Sequence, residues 1–252
     1  MVNRALGYNN LGNINPVNPT TISRLLDLNR QFYQTFAIPF SATRQRLQPG
    51  VLRLLDQIHP TDALLDLGCG NAELAHELAR CGHAGSYTGL DFSPALLQQA
   101  AIGQPANFRF LQADLSSADW DSHLAGCGYD SVLAFAVLHH LPGGDLRLKI
   151  LRKARQLLIL QGHFFHSEWQ FLNSPRLAAR VQPWETIDLS DKDVDPGDYL
   201  LDWRQGGTGL RYVHHFSEPE LAELASQAGF EVIDSFLSDG ENARLGLYQV
   251  WK

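Results

Sequence analysis

Residues 64–75 read Leu-Leu-Asp-Leu-Gly-Cys-Gly-Asn-Ala-Glu-Leu-Ala (LLDLGCGNAELA). A short apolar run passes through two closely spaced glycines into a helical pattern, which predicts a strand that turns sharply into a helix around a ligand. Gly68 and Gly70 permit the turn and let a ligand approach the main chain. The next apolar run, SYTGLDF (86–92), ends at Asp91, where a carboxylate can bind both hydroxyls of a ribose.

Two departures from the dinucleotide fingerprint decide which ligand is expected. Its third glycine falls at Glu73, and Asp66 stands two residues before Gly68. Both carboxylates repel a pyrophosphate, whereas a dinucleotide enzyme of this kind uses the helix N-terminus to attract one. A ligand with a cationic ammonium group, a ribose and no phosphate suits the same residues. S-adenosylmethionine is such a ligand, so the loop predicts methyl transfer rather than hydride transfer.

Outward from this loop, apolar runs alternate with helical patterns. The runs are ALLDL (63–67), SYTGLDF, FRFLQADL (108–115), DSVLAFAV (130–137) and GHFFHSEW (162–169). Between them lie AELAHELARC (72–81), SPALLQQAA (93–101) and DLRLKILRKARQLLI (145–159). Alternation of this kind predicts a parallel sheet with helices on both faces, and the near-continuous apolarity of DSVLAFAV fits a central strand. Asp114 ends the third run. It reads either as the acceptor for an adenine amino group or as a turn cap, and its place after Asp66 and Asp91 at successive strand ends favours the former.

The flanks are predicted as follows. Residues 1–60 form an Asn-rich arm and a helical cap of two amphipathic helices from about Thr20 to Ile58, broken near Pro39 and Gln48-Pro49-Gly50. Residues 61–252 form the main domain, with an irregular insertion at about 171–209 holding Pro175, Pro183, Pro196 and Gly206-Gly207. Ser217 and Glu220 read as a capping box opening a helix. FEVIDSFL (230–237) and LGLYQVW (245–251) read as a terminal antiparallel hairpin.

The order DLGCGN (66–71), GLDFS (89–93), QADL (112–115) and AFAVLHHLP (134–142) resembles the class I S-adenosylmethionine-dependent methyltransferases from Asp62 to Trp169. The resemblance implies an α/β, Rossmann-like, seven-stranded and mostly parallel sheet with helices on both faces and a C-terminal antiparallel hairpin. It implies S-adenosylmethionine as cofactor, held by Asp66, Gly68, Cys69, Gly70, Asp91, Phe92, Asp114, Leu115 and Ala136. Leu160-Gln161-Gly162 departs from the commoner Pro-Gly-Gly, and Ala72 replaces a commoner glycine.

A narrower similarity joins FYQTFAIPFSATR (32–44), AVLHHL (136–141), HSEWQF (166–171), GDYLLDW (197–203) and RYVHHFSEPEL (211–221) to the tRNA wobble-uridine methyltransferases. Those enzymes esterify 5-carboxymethyluridine, and the eukaryotic ones use a small zinc-ribbon activator protein. The Trp-Pro expected soon after Thr43-Arg44 is absent, with Gln48-Pro49-Gly50 in its place. On this similarity the acceptor is tRNA, with a small molecule as the alternative.

A carboxylate is already anionic at neutral pH, so its methylation needs positioning rather than a strong base. Arg211, Tyr212, His214 and Arg44 are the candidate carboxylate ligands, and Trp169 a candidate pocket wall. Strand alternation sets Arg211 on the opposite face from Tyr212 and His214. A surface ion pair is the competing reading of Arg211, and core packing that of Trp169 and Trp203. His139 and His140 follow the fourth run, and one of them is expected in the pocket to orient a substrate or act as a base. Arg147, Lys149, Arg152, Lys153 and Arg155 read as a solvated helix face or as a phosphate track that Arg176, Arg180 and Arg204 extend.

Composition is that of an ordinary globular chain: 252 residues, 44% hydrophobic and 19% charged. The formal charge of −7 argues mildly against nucleic acid as a partner, without excluding a local basic face. Cys69, Cys81 and Cys127 form no CxxC pair or Cys/His cluster, so neither disulfides nor a metal are expected. No apolar run approaches the roughly 20 residues of a membrane helix, and no export signal is legible, which predicts a cytoplasmic protein.

Overall fold

Leu65 and Leu67 face one side of strand β1 (Leu64–Leu67) while Leu64 faces the other, and all three are fully buried. That two-sided burial organises the computed structural model, which describes residues 17–42, 46–124, 126 and 128–252, with the backbone alone for 37–42. Around β1 stand β2 (Tyr87–Asp91), β3 (Phe108–Gln112), β4 (Tyr129–Phe135) and β5 (Leu158–Trp169), all parallel. Two later strands, β9 (Val232–Ser238) and β10 (Gly246–Trp251), pair antiparallel, with β10 against β5. The seven-stranded order is β3-β2-β1-β4-β5-β10-β9.

Helices cover both faces. On one lie α5 (Gly144–Leu157) and α7 (Glu218–Ala228), packing Ile150, Leu151, Leu221 and Ala225 on Leu65, Val132 and Phe164. On the other lie α2 (Pro49–Leu55) and α3 (Glu73–Arg80), packing Val51, Leu54, Leu74 and Leu78 on Leu64, Leu133 and Phe165. Helix α4 (Pro94–Ala100) joins β2 to β3 and opens on Ser93, whose hydroxyl accepts the Leu96 amide. Ser217 caps α7 by accepting the Glu220 amide at 3.3 Å. The Glu220 side chain, expected to complete a capping box, reaches His214 instead, at 2.8 Å.

Helix α1 runs from Pro19 to Ala42. The break expected near Pro39 falls at Phe36 (φ −111, ψ 16), where two helical stretches meet across a kink.

The 171–209 segment is not irregular. It carries α6 (Pro175–Ala178), β6 (Val181–Gln182) and β7 (Asp198–Trp203), and β7 pairs antiparallel with β8 (Gly209–His214) in a second, three-stranded sheet β6-β7-β8. Leu200 packs toward Leu25 and Trp184 while Leu201 packs toward Phe171 and Leu177. Burial on both faces removes the alternation that marks a strand in sequence.

Of the basic run on α5, Lys149 and Arg152 are solvent-exposed as expected of a helix face, while Arg147, Arg152, Lys153 and Arg155 contact neighbouring elements. Arg147 is 2% exposed and donates to the Leu141 carbonyl. Lys153 pairs with Asp121. Arg152 and Arg155 donate to the Gln227 and Gly229 carbonyls at the end of α7. These cations fasten α5 to its neighbours.

Candidate active site

The carboxyl ends of β1 to β4 open on a cavity of about 410 Å³. Gly68 there has φ +73, and a Cβ on it would stand 2.8 Å from Val137, so only glycine fits. Gly70 also has positive φ, but a Cβ would meet nothing within 4 Å because the residue faces the cavity. Ala72 adopts the left-handed conformation too (φ 62), which explains why glycine is commoner at that place.

Three acids expected at strand ends line this cavity. Asp66 is buried, takes a 2.5 Å hydrogen bond from the Tyr87 hydroxyl, and is pushed up to about 7 by burial. Tyr87 opposes that rise and the charge of Asp91 adds to it. Asp91 is raised by burial while the amides of Ser93, Gly70 and Phe92 counter the rise, those of Ser93 and Gly70 at 2.8 and 2.9 Å. Burial also pushes Asp114 up, but bonds from the Ser116 hydroxyl and amide and from Arg30 outweigh it and hold the carboxyl low. Cys69, Phe92, Leu115 and Ala136 complete that end.

The far end of the cavity separates the two histidines. His139 is 1% exposed, with Nδ1 2.9 Å from Glu168 Oε2, and its amide donates to the same oxygen. His166 meets the other Glu168 oxygen at 3.1 Å. Burial drives Glu168 well above the usual carboxylate range and His166 down to about 3, so both resist charging. His140 is the one that lines the cavity, its Nε2 2.7 Å from the Tyr33 hydroxyl. Trp169 forms wall beside it.

Tyr212 and His214 do not line the cavity. Tyr212 donates to Asp198 at 2.6 Å, and His214 lies between Asp198 (2.6 Å) and Glu220 (2.8 Å). With Arg147 they join the small sheet to α5 and α7, which is a structural role. Arg211 points the other way, as alternation requires, but forms no surface ion pair. It is 6% exposed, 4.6 Å above the Trp169 ring, with Phe32 and Trp203 also beneath it. It stands behind the cavity wall rather than on it. Arg44 lies outside the described residues.

Helix α1 supplies what the sequence reading missed. Leu26, Asn29, Arg30 and Tyr33 line the cavity from one helical face. Asn29 donates to the His140 and Tyr212 carbonyls at 3.0 and 3.1 Å and accepts from the Tyr212 amide at 2.9 Å. The available signal was the run of polar residues at helical spacing on a stripe expected to be apolar.

The family described as methyltransferase domain matches residues 40–235. The chain belongs to it. A protein of Encephalitozoon cuniculi named as a methyltransferase is 29% identical over 207 residues, 81% of this chain and 87% of its own length. The Burkholderia thailandensis 1,6-didemethyltoxoflavin N1-methyltransferase, solved with that substrate and S-adenosylhomocysteine, is 20% identical with a TM-score of 0.64. The alignment covers 95% of this chain and 92% of that one. The methyltransferase of Haloferax volcanii solved with the activator Trm112 is 16% identical with a TM-score of 0.63, covering 88% and 96%. At these identities the two structures share the fold.

The cavity suits S-adenosylmethionine, the cofactor expected from the sequence. Open space at Gly70 admits a ligand against the main chain, and buried Asp66 offers a carboxylate to an ammonium group. Among the described residues no group of three or more His, Cys, Asp or Glu is placed to hold a metal, and no helix is long and apolar enough to cross a membrane.

Proposed function

We propose that this methyltransferase esterifies a carboxylate, and that the carboxylate is carried by the 5-carboxymethyl group of a tRNA wobble uridine. The observation that carries the reading is Arg211. Its guanidinium is buried, its Nε has no hydrogen-bond partner, and no acidic side chain pairs with it. The residues outside the described ones contain no Asp or Glu at all. A buried cation without a counter-charge is costly, and an anionic acceptor at the adjoining wall relieves that cost. The resemblance of RYVHHFSEPEL (211–221) to the wobble-uridine enzymes supports the same acceptor.

In this reading Asp66 binds the cofactor's ammonium group, Asp91 its ribose, and Asp114 its adenine, with Phe92 and Leu115 packing alongside. When bound, S-adenosylmethionine would supply an activated methyl group, and a carboxylate acceptor has no proton to be removed. Residues 1–60 act as a cap on a catalytic domain of 61–252, and a small activator protein is the partner to seek by co-purification.

A second reading, methylation of a small neutral hydroxyl or amine, is favoured by the tethered cations of α5, which leave little of a phosphate track. His140 and Tyr33 would then handle the proton. Labelled cofactor offered to unmodified tRNA, to carboxymethyluridine-bearing tRNA and to a small-molecule extract separates the two. Label confined to the extract would refute the tRNA reading.

A further inference from the structure

Arg211 is a buried cation that does not itself line the cavity; Tyr33 and Trp169, which do, lie against it. Tyr33 hydrogen-bonds Arg211 and also lies 2.7 Å from His140 Nε2. Its ring meets Phe92, next to Asp91, edge-on at 6.3 Å. One side chain therefore touches the buried cation and the cavity histidine through its hydroxyl and Phe92 through its ring.

The direction of these bonds follows from chemistry. A guanidinium has donors and no acceptor. The Tyr33 oxygen therefore accepts from Arg211. Of the two directions open to the Tyr33–His140 bond, the relay takes the one in which Tyr33 donates to Nε2, with His140 the neutral imidazole protonated on Nδ1. A cation at one remove and a donated bond to its lone pair both oppose protonation of that ring. Other groups facing His140 are Asn29 of α1, holding its carbonyl, and the His139 ring at 4.3 Å with Glu168 of β5 behind it.

We propose that Tyr33 is the residue that touches the acceptor, and that Arg211 is a positioning residue acting through it. On the carboxylate reading above, the Tyr33 O–H turns from His140 Nε2 to one oxygen of the entering carboxylate. That anion is the stronger acceptor, and Arg211 polarises the phenol from behind. The second oxygen is left as the nucleophile. The relay itself, Arg211 to Tyr33 to His140, does not depend on the acceptor's identity.

The test is a mutant cycle of Tyr33→Phe, Arg211→Met and the double variant, with Arg211→Lys as a charge-keeping alternative should the methionine variant fold poorly. Two quantities are read. The first is the His140 titration by nuclear magnetic resonance of labelled histidine, assigned with His140→Asn. Each single change should move the His140 pKa upward by about half a unit to one unit, and the double variant no further than Tyr33→Phe alone. The second is methyl transfer. Tyr33→Phe should raise KM for the acceptor about 10- to 100-fold, the scale of one bond to a charged group, with S-adenosylhomocysteine affinity unchanged. Arg211→Met should add little on that background.

Additive effects in both readouts, or an unaltered His140 titration in Tyr33→Phe, would overturn the relay. An unaltered acceptor KM in Tyr33→Phe would reduce Tyr33 to cavity wall. Failure of the wild-type enzyme to label any carboxylate substrate overturns only the acceptor reading. The titration still decides the relay then, and the KM cycle is run on whichever fraction is labelled.

Discussion

Arg30 closes on Asp114 at 2.7 Å, so a residue of the N-terminal helix occupies the strand-end acid assigned to the adenine. Both Asp114 oxygens are engaged: Oδ2 accepts twice from Arg30 and Oδ1 twice from Ser116. An incoming adenine amino group must displace one of these donors. Arg30→Ala is therefore expected to bind S-adenosylhomocysteine several-fold more tightly, and Asp114→Ala about 10-fold more weakly, the scale of one hydrogen bond to a charged group. Calorimetry measures both. Weaker binding in Arg30→Ala would mean that Arg30 supports the adenine rather than competing with it.

The stability of the fold depends on pH through the raised pKa of Asp66. Its folded pKa is raised to about 7 from an ordinary value near 3.8. Between those values the folded chain holds a proton that the unfolded chain has released, so stability from this group falls as pH rises through the window. Asp66→Asn should melt above the wild type in the ligand-free form, by a margin that grows from pH 4 and levels off above about pH 7. The same variant should lose cofactor affinity, because an amide cannot pair with an ammonium group. Thermal melts across pH with and without S-adenosylhomocysteine report both effects, and a margin independent of pH would show that Asp66 is not the titrating group.

Gly68 and Gly70 should respond differently to alanine. Both pay the left-handed strain of about 1–2 kcal/mol, but only at Gly68 does the new methyl strike a neighbour, Val137 at 2.8 Å. Gly68→Ala is expected to lower stability by about 2–4 kcal/mol. Gly70→Ala should cost only the strain while obstructing the cofactor. Urea denaturation paired with calorimetry distinguishes the two, and equal losses of stability would argue against the cavity-facing placement of Gly70.

His139 and His140 should separate in the same way. Replacing His139 with alanine leaves Glu168 Oε2 buried without the His139 ring, with only His166 still meeting Oε1, at a cost of about 1–3 kcal/mol. His140→Ala should stay within about 1 kcal/mol of wild type and act mainly on turnover. Denaturation midpoints check this, and a fully stable His139→Ala would show that the Glu168 contact contributes nothing to the fold.

The amino-acid sequence by itself determined the β1 turn, the three strand-end acids and the parallel core. Each rests on contacts between near neighbours in sequence or on an apolar period repeated along the chain. Glycines at 68 and 70 are demanded by local backbone geometry, while Asp66 lies one residue before the end of β1, Asp91 ends β2 and Asp114 follows β3 by two residues. The tertiary structure alone decided the far end of the cavity. Tyr33 and His140 are separated by 107 residues, and Asn29 and Tyr212 by 183. No periodicity encodes a meeting at that range. The strands of the 171–209 segment were hidden for a related reason, since burial on both faces erases alternation. The same holds for RYVHH, where alternation correctly divided Arg211 from Tyr212 and His214. Only packing against Trp169 and Trp203 on one side, and Asp198 and Glu220 on the other, set one face behind the cavity wall and the other in the scaffold.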